Sequence, residues 1–203
     1  LLVGGQTNLL IQIQHPMGKR VVGLTTDFLG GVWARVVGTA MVHLDRQGKE
    51  VERVGPINGL PINSVRCWAA DGEGGLWMGT PAGLYWWHKS KLLLFDTRHG
   101  LPEDVIANLA QDESGDLWCA AQAQLFRLSR KELEAAAAHP GALLHPLLVG
   151  VSAGLKPVPF AAGIASLAVR DPHGRLYFPR IWDVVSFDPA QFKQPAPPPR
   201  VVI

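Results

Sequence analysis

Short apolar runs separated by polar turns fill the chain, and between Gly59 and Asp96 they come in a clear order. Val65 to Ala70 is partly β-branched and aromatic, and it ends at the turn cluster Asp71-Gly72-Glu73-Gly74-Gly75. Leu76 to Thr80 is a second run, Pro81-Ala82-Gly83 a second turn and Leu84 to Trp87 a third run; after His88-Lys89-Ser90, Leu92 to Phe95 is a fourth. Four runs of strand length within about 40 residues predict an antiparallel meander.

The same order returns one module later. Gly59-Leu60-Pro61, Val65, Asp71, Gly74, Leu76-Trp77 and Leu84-Tyr85 recur, each displaced by 41 residues, as Gly100-Leu101-Pro102, Ile106, Asp112, Gly115, Leu117-Trp118 and Leu125-Phe126. Self-similarity at this period marks a repeat architecture, in which each unit buries its apolar faces only by stacking on copies of itself. A four-stranded meander repeated in this way is a blade of a β-propeller. Helical repeats need long breaker-free amphipathic segments, which neither copy has, and leucine-rich repeats are too short. The predicted fold is therefore all-β, with blades of four antiparallel strands.

Taken in order, residues 1–16 read as the end of a first blade, Leu1-Leu2-Val3-Gly4 standing where Leu76-Trp77-Met78-Gly79 stands later. A second blade spans 17–58, with Asp27 and Trp33 spaced as Asp71 and Trp77, and with a hairpin turn at Asp45-Arg46-Gln47-Gly48. The third covers 59–99. The fourth, 100–152, is interrupted after Leu128 by Ser129-Arg130-Lys131-Glu132, the spacing of a capping box, then four alanines and the stop Pro140-Gly141. This predicts an inserted two-turn helix at about 130–138, with Leu143 to Val151 returning as the outer strand. The last blade, 153–190, restarts at Gly154-Leu155 and repeats the Asp171-to-Tyr177 spacing. Residues 191–199 form a Pro-rich extended linker, and 200–203 would begin a strand of a following domain.

Composition agrees with this reading. A hydrophobic content of 47% and a mean hydropathy of +0.11 suit blades covered on both faces, and the seven tryptophans serve as fillers between sheets. A net charge of +2 without a basic run argues against nucleic-acid contact. No apolar stretch reaches the roughly 18 residues of a membrane span. The chain opens at Leu1 with no initiator Met and no signal-peptide pattern, as expected of an excised piece. Roughly four blades are few to close a ring, so the expectation is a partial propeller whose open faces meet further blades or a second copy. Cys67 and Cys119 read as buried small residues; such low usage suits a reduced compartment or a cysteine-poor secreted protein equally.

These landmarks resemble the two-component regulator propeller repeat: Gly-Leu-Pro, a Val, an Asp-x-x-Gly turn, Leu-Trp-x-Gly-Thr, then Gly-Leu and an aromatic, all present from Gly59 to Tyr85. The end of the chain is also similar to such propellers, with Lys131-Glu132-Leu133, Gly154-Leu155, Gly174 to Pro179, Phe187-Asp188-Pro189 and a Pro-rich junction. Departures occur at Cys119-Ala120-Ala121, Gln124, Arg180, Asp183 and Leu2. The resemblance implies the periplasmic sensor region of an inner-membrane signalling receptor, with a histidine kinase or diguanylate cyclase as output. It implies an oligosaccharide or other small ligand, and a following triple-tyrosine immunoglobulin-like sandwich opening at Pro199 to Ile203.

Asp27, Asp71, Asp112 and Asp171 recur at one place in every module, which points to carboxylates satisfying turn amides rather than to catalysis. Asp112 to Asp116 lacks the twelfth-position Glu of a calcium loop, and the sialidase Asp-box lacks its hydroxyl residues in three blades. No His pair, Cys cluster, nucleophile elbow or phosphate loop appears, so no catalytic residue, metal or cofactor is assigned. Ligand contacts would come from loops on one propeller face, where the lead-in to strand one and the turn between strands two and three lie together. That selects Arg35, Asn63, Glu103, Asp104, Gln122, Arg180, Trp182 and Asp183. Among these, Arg180-Ile181-Trp182-Asp183 breaks the repeat with charge and an aromatic, a pairing suited to sugars or anions. Ligand sensing is the first reading; a docking or dimerising propeller is the second, and a carbohydrate-active enzyme the third, for want of paired carboxylates outside the turns.

Overall fold

A computed structural model describes residues 20–192 apart from 28, 123, 140, 151–153, 157 and 164–166. The half-blade at 1–16, the linker from 193 onward and the strand at 200–203 lie outside the described residues. The chain is an all-β propeller segment. Its second blade is β1 (Val21–Thr26), β2 (Val32–Val36), β3 (Ala40–Leu44) and β4 (Glu50–Val54). The third is β5 (Cys67–Ala70), β6 (Leu76–Thr80), β7 (Gly83–His88) and β8 (Lys91–Phe95). The fourth holds β9 (Asn108–Gln111), β10 (Leu117–Ala120) and β11 (Leu125–Leu128), then helix α1 (Arg130–Ala138), then β12 (Leu147–Val149). The fifth shows three strands rather than four: β13 (Val169–Arg170), β14 (Leu176–Pro179) and β15 (Val184–Phe187). Each sheet is an antiparallel meander in chain order. The inner strands β1, β5, β9 and β13 surround a central depression of about 470 Å³.

Strand alternation explains the stacking. Along β6, Leu76 and Met78 face the second blade, while Trp77 faces the fourth. Both faces are buried, so the strand reads as an unbroken apolar run. Trp33, Trp77 and Trp118 occupy the same place in successive blades, each fully buried against the next blade. In the third blade, Trp77 stacks on its cross-strand partner Trp86 with ring centroids 4.2 Å apart.

The connectors repeat too. Gly59 and Gly100 end short 3-10 turns with φ of 89° and 95°, where a side chain would be strained. The leucine that follows drops between blades: Leu60 between the second and third, Leu101 between the third and fourth, Leu155 between the fourth and fifth. The first strand of the third blade begins at Cys67 rather than Val65, because Ile62–Ser64 forms a 3-10 turn and Val65 is spent as a buried plug.

Helix α1 falls where the sequence places it, but Ser129 makes no side-chain capping bond. Asp116 supplies the cap instead, its Oδ1 accepting the Arg130 amide at 2.9 Å. Arg130 also reaches the third blade, donating to Asp71 O at 2.9 Å and lying over the Trp86 ring, while Leu133 plugs the core between those blades. The insert thus seals a seam.

Trp77→Ala should cost about 3–5 kcal/mol, the usual penalty for emptying a buried aromatic site. Ile57→Ala, at a side chain 95% exposed, should stay within about 0.5 kcal/mol. Urea unfolding of the two variants checks the contrast.

Candidate functional site

On the propeller face formed by the turns between first and second strands, the four repeated aspartates make one device. Oδ1 of each accepts two turn amides: Leu29 and Gly31 for Asp27, Glu73 and Gly75 for Asp71, Ser114 and Asp116 for Asp112, His173 and Arg175 for Asp171, all at 2.7–3.0 Å. Oδ2 accepts from a ring: His43 at 2.7 Å, Trp86 at 2.9 Å, Trp118 at 2.8 Å and the Tyr177 hydroxyl at 3.1 Å. Equal placement does not mean equal charge. Burial pushes the Asp27 carboxyl up, but its bonds to His43, Gly31 and Leu29 outweigh that and leave it lowered. At Asp112, burial prevails with help from the neighbouring Asp116, and the carboxyl is raised.

The ring partners were the part the sequence reading missed. His43 lies on the third strand and stacks on Trp33 with centroids 4.6 Å apart; His88 stacks on Trp86. The recoverable signal is an aromatic or imidazole within reach of each turn Asp, which the sequence gives as types but not as pairs.

The eight ligand candidates lie at the opposite ends of the strands and do not gather in one cavity. Glu103 accepts the Gln122 amide at 3.3 Å within the fourth blade, and Asp104 accepts the Thr97 amide at 2.7 Å. Arg180 and Asp183 form a two-pronged ion pair, and Arg180 also donates to Lys156 O, so the cation is engaged at home. Trp182 projects beside them, 85% exposed. Asn63 is exposed on its 3-10 turn. Arg35 is not a loop residue: it sits inside β2 on the strand face turned to the third blade, buried beside Trp68. The loop assignment failed there because alternation along β2 turns that side chain inward.

The remaining clefts are seams between blades on the aspartate face; one lies among Asp71, Glu73, Asp112, Arg130 and Glu134. Its cation is paired with Glu73 and Glu134. Among the described residues, no group of three or more His, Cys, Asp or Glu is placed to hold a metal ion. Cys67 and Cys119 are free and buried in one interblade cluster; burial pushes the Cys67 thiol up to about 12.

Asp71→Ala should cost roughly 2–4 kcal/mol, since it leaves two turn amides and the Trp86 indole short of an acceptor. Asp71→Asn should lose less than half of that. Chemical denaturation of both measures it. A second carboxylate, Asp96, is held down to about 2, first by Arg98 and then by His99, against burial. Its stabilisation is complete above the unfolded carboxylate value near pH 4 and is lost as pH falls toward 2. In an acid titration of stability, Asp96→Asn should flatten that limb.

Residues 59–82 match the family model described as two component regulator propeller. No curated protein sequence matches the chain. Among solved structures, the fold is similar to the extracellular domain of the putative hybrid two component system BT3049 from B. thetaiotaomicron, with a TM-score of 0.62 and 17% identity over 88% of this chain and 24% of that one. It is similar to the corresponding domain of BT4673 from the same organism, with a TM-score of 0.54 and 13% identity over 87% and 21%. It also resembles virginiamycin B lyase from Staphylococcus aureus, with a TM-score of 0.51 and 16% identity over 83% and 55%. The chain spans about a quarter of the length of the extracellular domains it resembles. It carries a two component regulator propeller repeat at residues 59–82, set within a propeller fold shared with extracellular domains of two component systems.

Proposed function

We propose that the chain is a ligand-sensing, extracytoplasmic propeller segment of a membrane-bound bacterial receptor with a kinase or cyclase output, and that it binds rather than catalyses. The observation that carries this is the repeat at 59–82 inside a fold similar to extracellular two component domains. The lyase likeness, at 16% identity, bears on fold alone. No helix among the described residues is long and apolar enough to cross a membrane, so anchor and output would belong to other parts of a longer protein. The ligand class we favour is an oligosaccharide, and the surface is the face bearing Asn63, Glu103, Gln122 and the Arg180 to Asp183 turn. An aromatic beside a fixed ion pair provides a stacking plane and hydrogen-bonding edges for a sugar.

A docking propeller is the second reading. Ile181, Trp182 and Val184 are exposed together at 53%, 85% and 61%, and an apolar group of this kind also suits a protein partner or a second copy.

Calorimetric titration with a panel of neutral and acidic oligosaccharides separates the two. Saturable binding is expected, weakened at least tenfold in Trp182→Ala, a variant whose stability should stay within about 0.5 kcal/mol of the parent. Absence of binding across the panel, with a Trp182-dependent dimer in light scattering, would favour docking.

A further inference from the structure

At the seam between the second and third blades, Arg35 is only 6% exposed. Its Nη2 donates to Ile62 O at 3.2 Å, and its guanidinium lies over the Trp68 ring, 5.7 Å from the centroid. Nε and Nη1 are buried and have no acceptor. The Trp68 Nε1 beside them is also without one. Trp77 and Trp87 leave Nε1 unpaired as well, but only Trp68 of the three has a cation over its ring. Gly23, the cross-strand neighbour of Arg35, makes room for this arrangement, because a Cβ there would collide with the Trp68 ring.

A buried guanidinium without a counter-charge is costly, and burial pulls the Arg35 pKa below its usual value. Arg127, Arg130 and Arg180, also largely buried, each face a carboxylate. Arg35 faces donors and apolar groups: Trp68, Met41 across the strand, and the Ile62 carbonyl. Trp68 meanwhile lines the central depression with Leu24 and Thr25, so the seam borders a space that a ligand can occupy.

We propose that this seam takes one anionic oxygen group of a ligand, a carboxylate or a sulfate, which accepts from a free Arg35 N–H and from Trp68 Nε1. The proposal rests on the ligand-sensing reading and adds the charge class of the ligand and a contact inside the propeller. Binding supplies the missing acceptor, and access is from the central depression.

The test is calorimetric titration of the chain with sodium glucuronate, sodium sulfate and, as a neutral control, glucose, at ionic strength matched with chloride. Saturable binding of glucuronate or sulfate but not glucose is expected, and whichever anion binds identifies the group. Arg35→Met should weaken binding about tenfold or more. It should leave the thermal midpoint unchanged or raised by a few degrees, since an unpaired buried charge is replaced by an apolar side chain of similar length. Trp68→Phe, which removes only the indole donor, should weaken binding several-fold and serves if Arg35→Met does not fold. No saturable anion binding by the parent chain overturns the proposal, as does equal affinity in both variants. Neutral oligosaccharides that bind equally to parent and Arg35→Met would, in that event, leave the sensing reading standing.

Discussion

The structure depends on one interaction, the layer of large side chains held between consecutive sheets. A four-stranded meander has two apolar faces and too little bulk to cover either alone, so its stability comes from its neighbours. Trp33, Trp77 and Trp118 each fill the gap to the next blade from the same strand position. A buried tryptophan removes roughly 150–250 Å² from water, about 4–6 kcal/mol of transfer free energy before entropy is counted. Each indole also carries an N–H into a dry layer, and the turn aspartates answer that demand where they can reach. Trp86 and Trp118 give their hydrogen to Asp71 and Asp112, while Trp33 reaches the Gly74 carbonyl of the next blade at 3.3 Å. The carboxylate that closes a turn is therefore also part of the packing between sheets, and this couples turn geometry to blade spacing.

The fourth blade shows how far the pattern can be broken without opening a seam. Its outer strand β12 is delayed by a helix, and its second strand has Cys119 and Ala120 where the third blade has Met78 and Gly79. The seam stays shut because α1 contributes Leu133 to the shared core and Arg130 to the neighbouring turn, where it meets Asp71 O, Glu73 and the Trp86 face. Lost strand length is replaced by a plug and a clamp.

Periodicity made the fold legible. Landmarks displaced by a constant number of residues give both the unit and its contacts, since repeats must stack, and the Ser129 to Pro140 segment stands out as non-repeating and alanine-rich. Three features stayed hidden, each for a physical reason. Strand β5 starts late because whether Val65 continues a strand or plugs a core depends on a neighbour, not on its own propensity. The cap of α1 comes from Asp116, which lies across a hairpin where local spacing has no view. The donor to each aspartate is His43, Trp86, Trp118 or Tyr177, drawn from either of two strands, so no single offset describes it.

Candidate ligand contacts show the same limit more sharply. Sequence ranks Arg180 above Arg35, because a charge in a loop that departs from the repeat looks available while one within a strand does not. Geometry reverses the order. Arg180 already holds Asp183 and the Lys156 carbonyl, so an incoming anion would have to displace a two-pronged intramolecular pair. Arg35 spends one N–H on Ile62 O and has nothing to displace at the others. An acceptor arriving there faces only the cost of parting two packed blades, and parting blades is a motion that the tryptophan layers would carry into the neighbouring sheets. A propeller commits nearly all its strand surface to stacking, so an unfilled hydrogen-bonding capacity between two blades is where binding and shape can be coupled most directly.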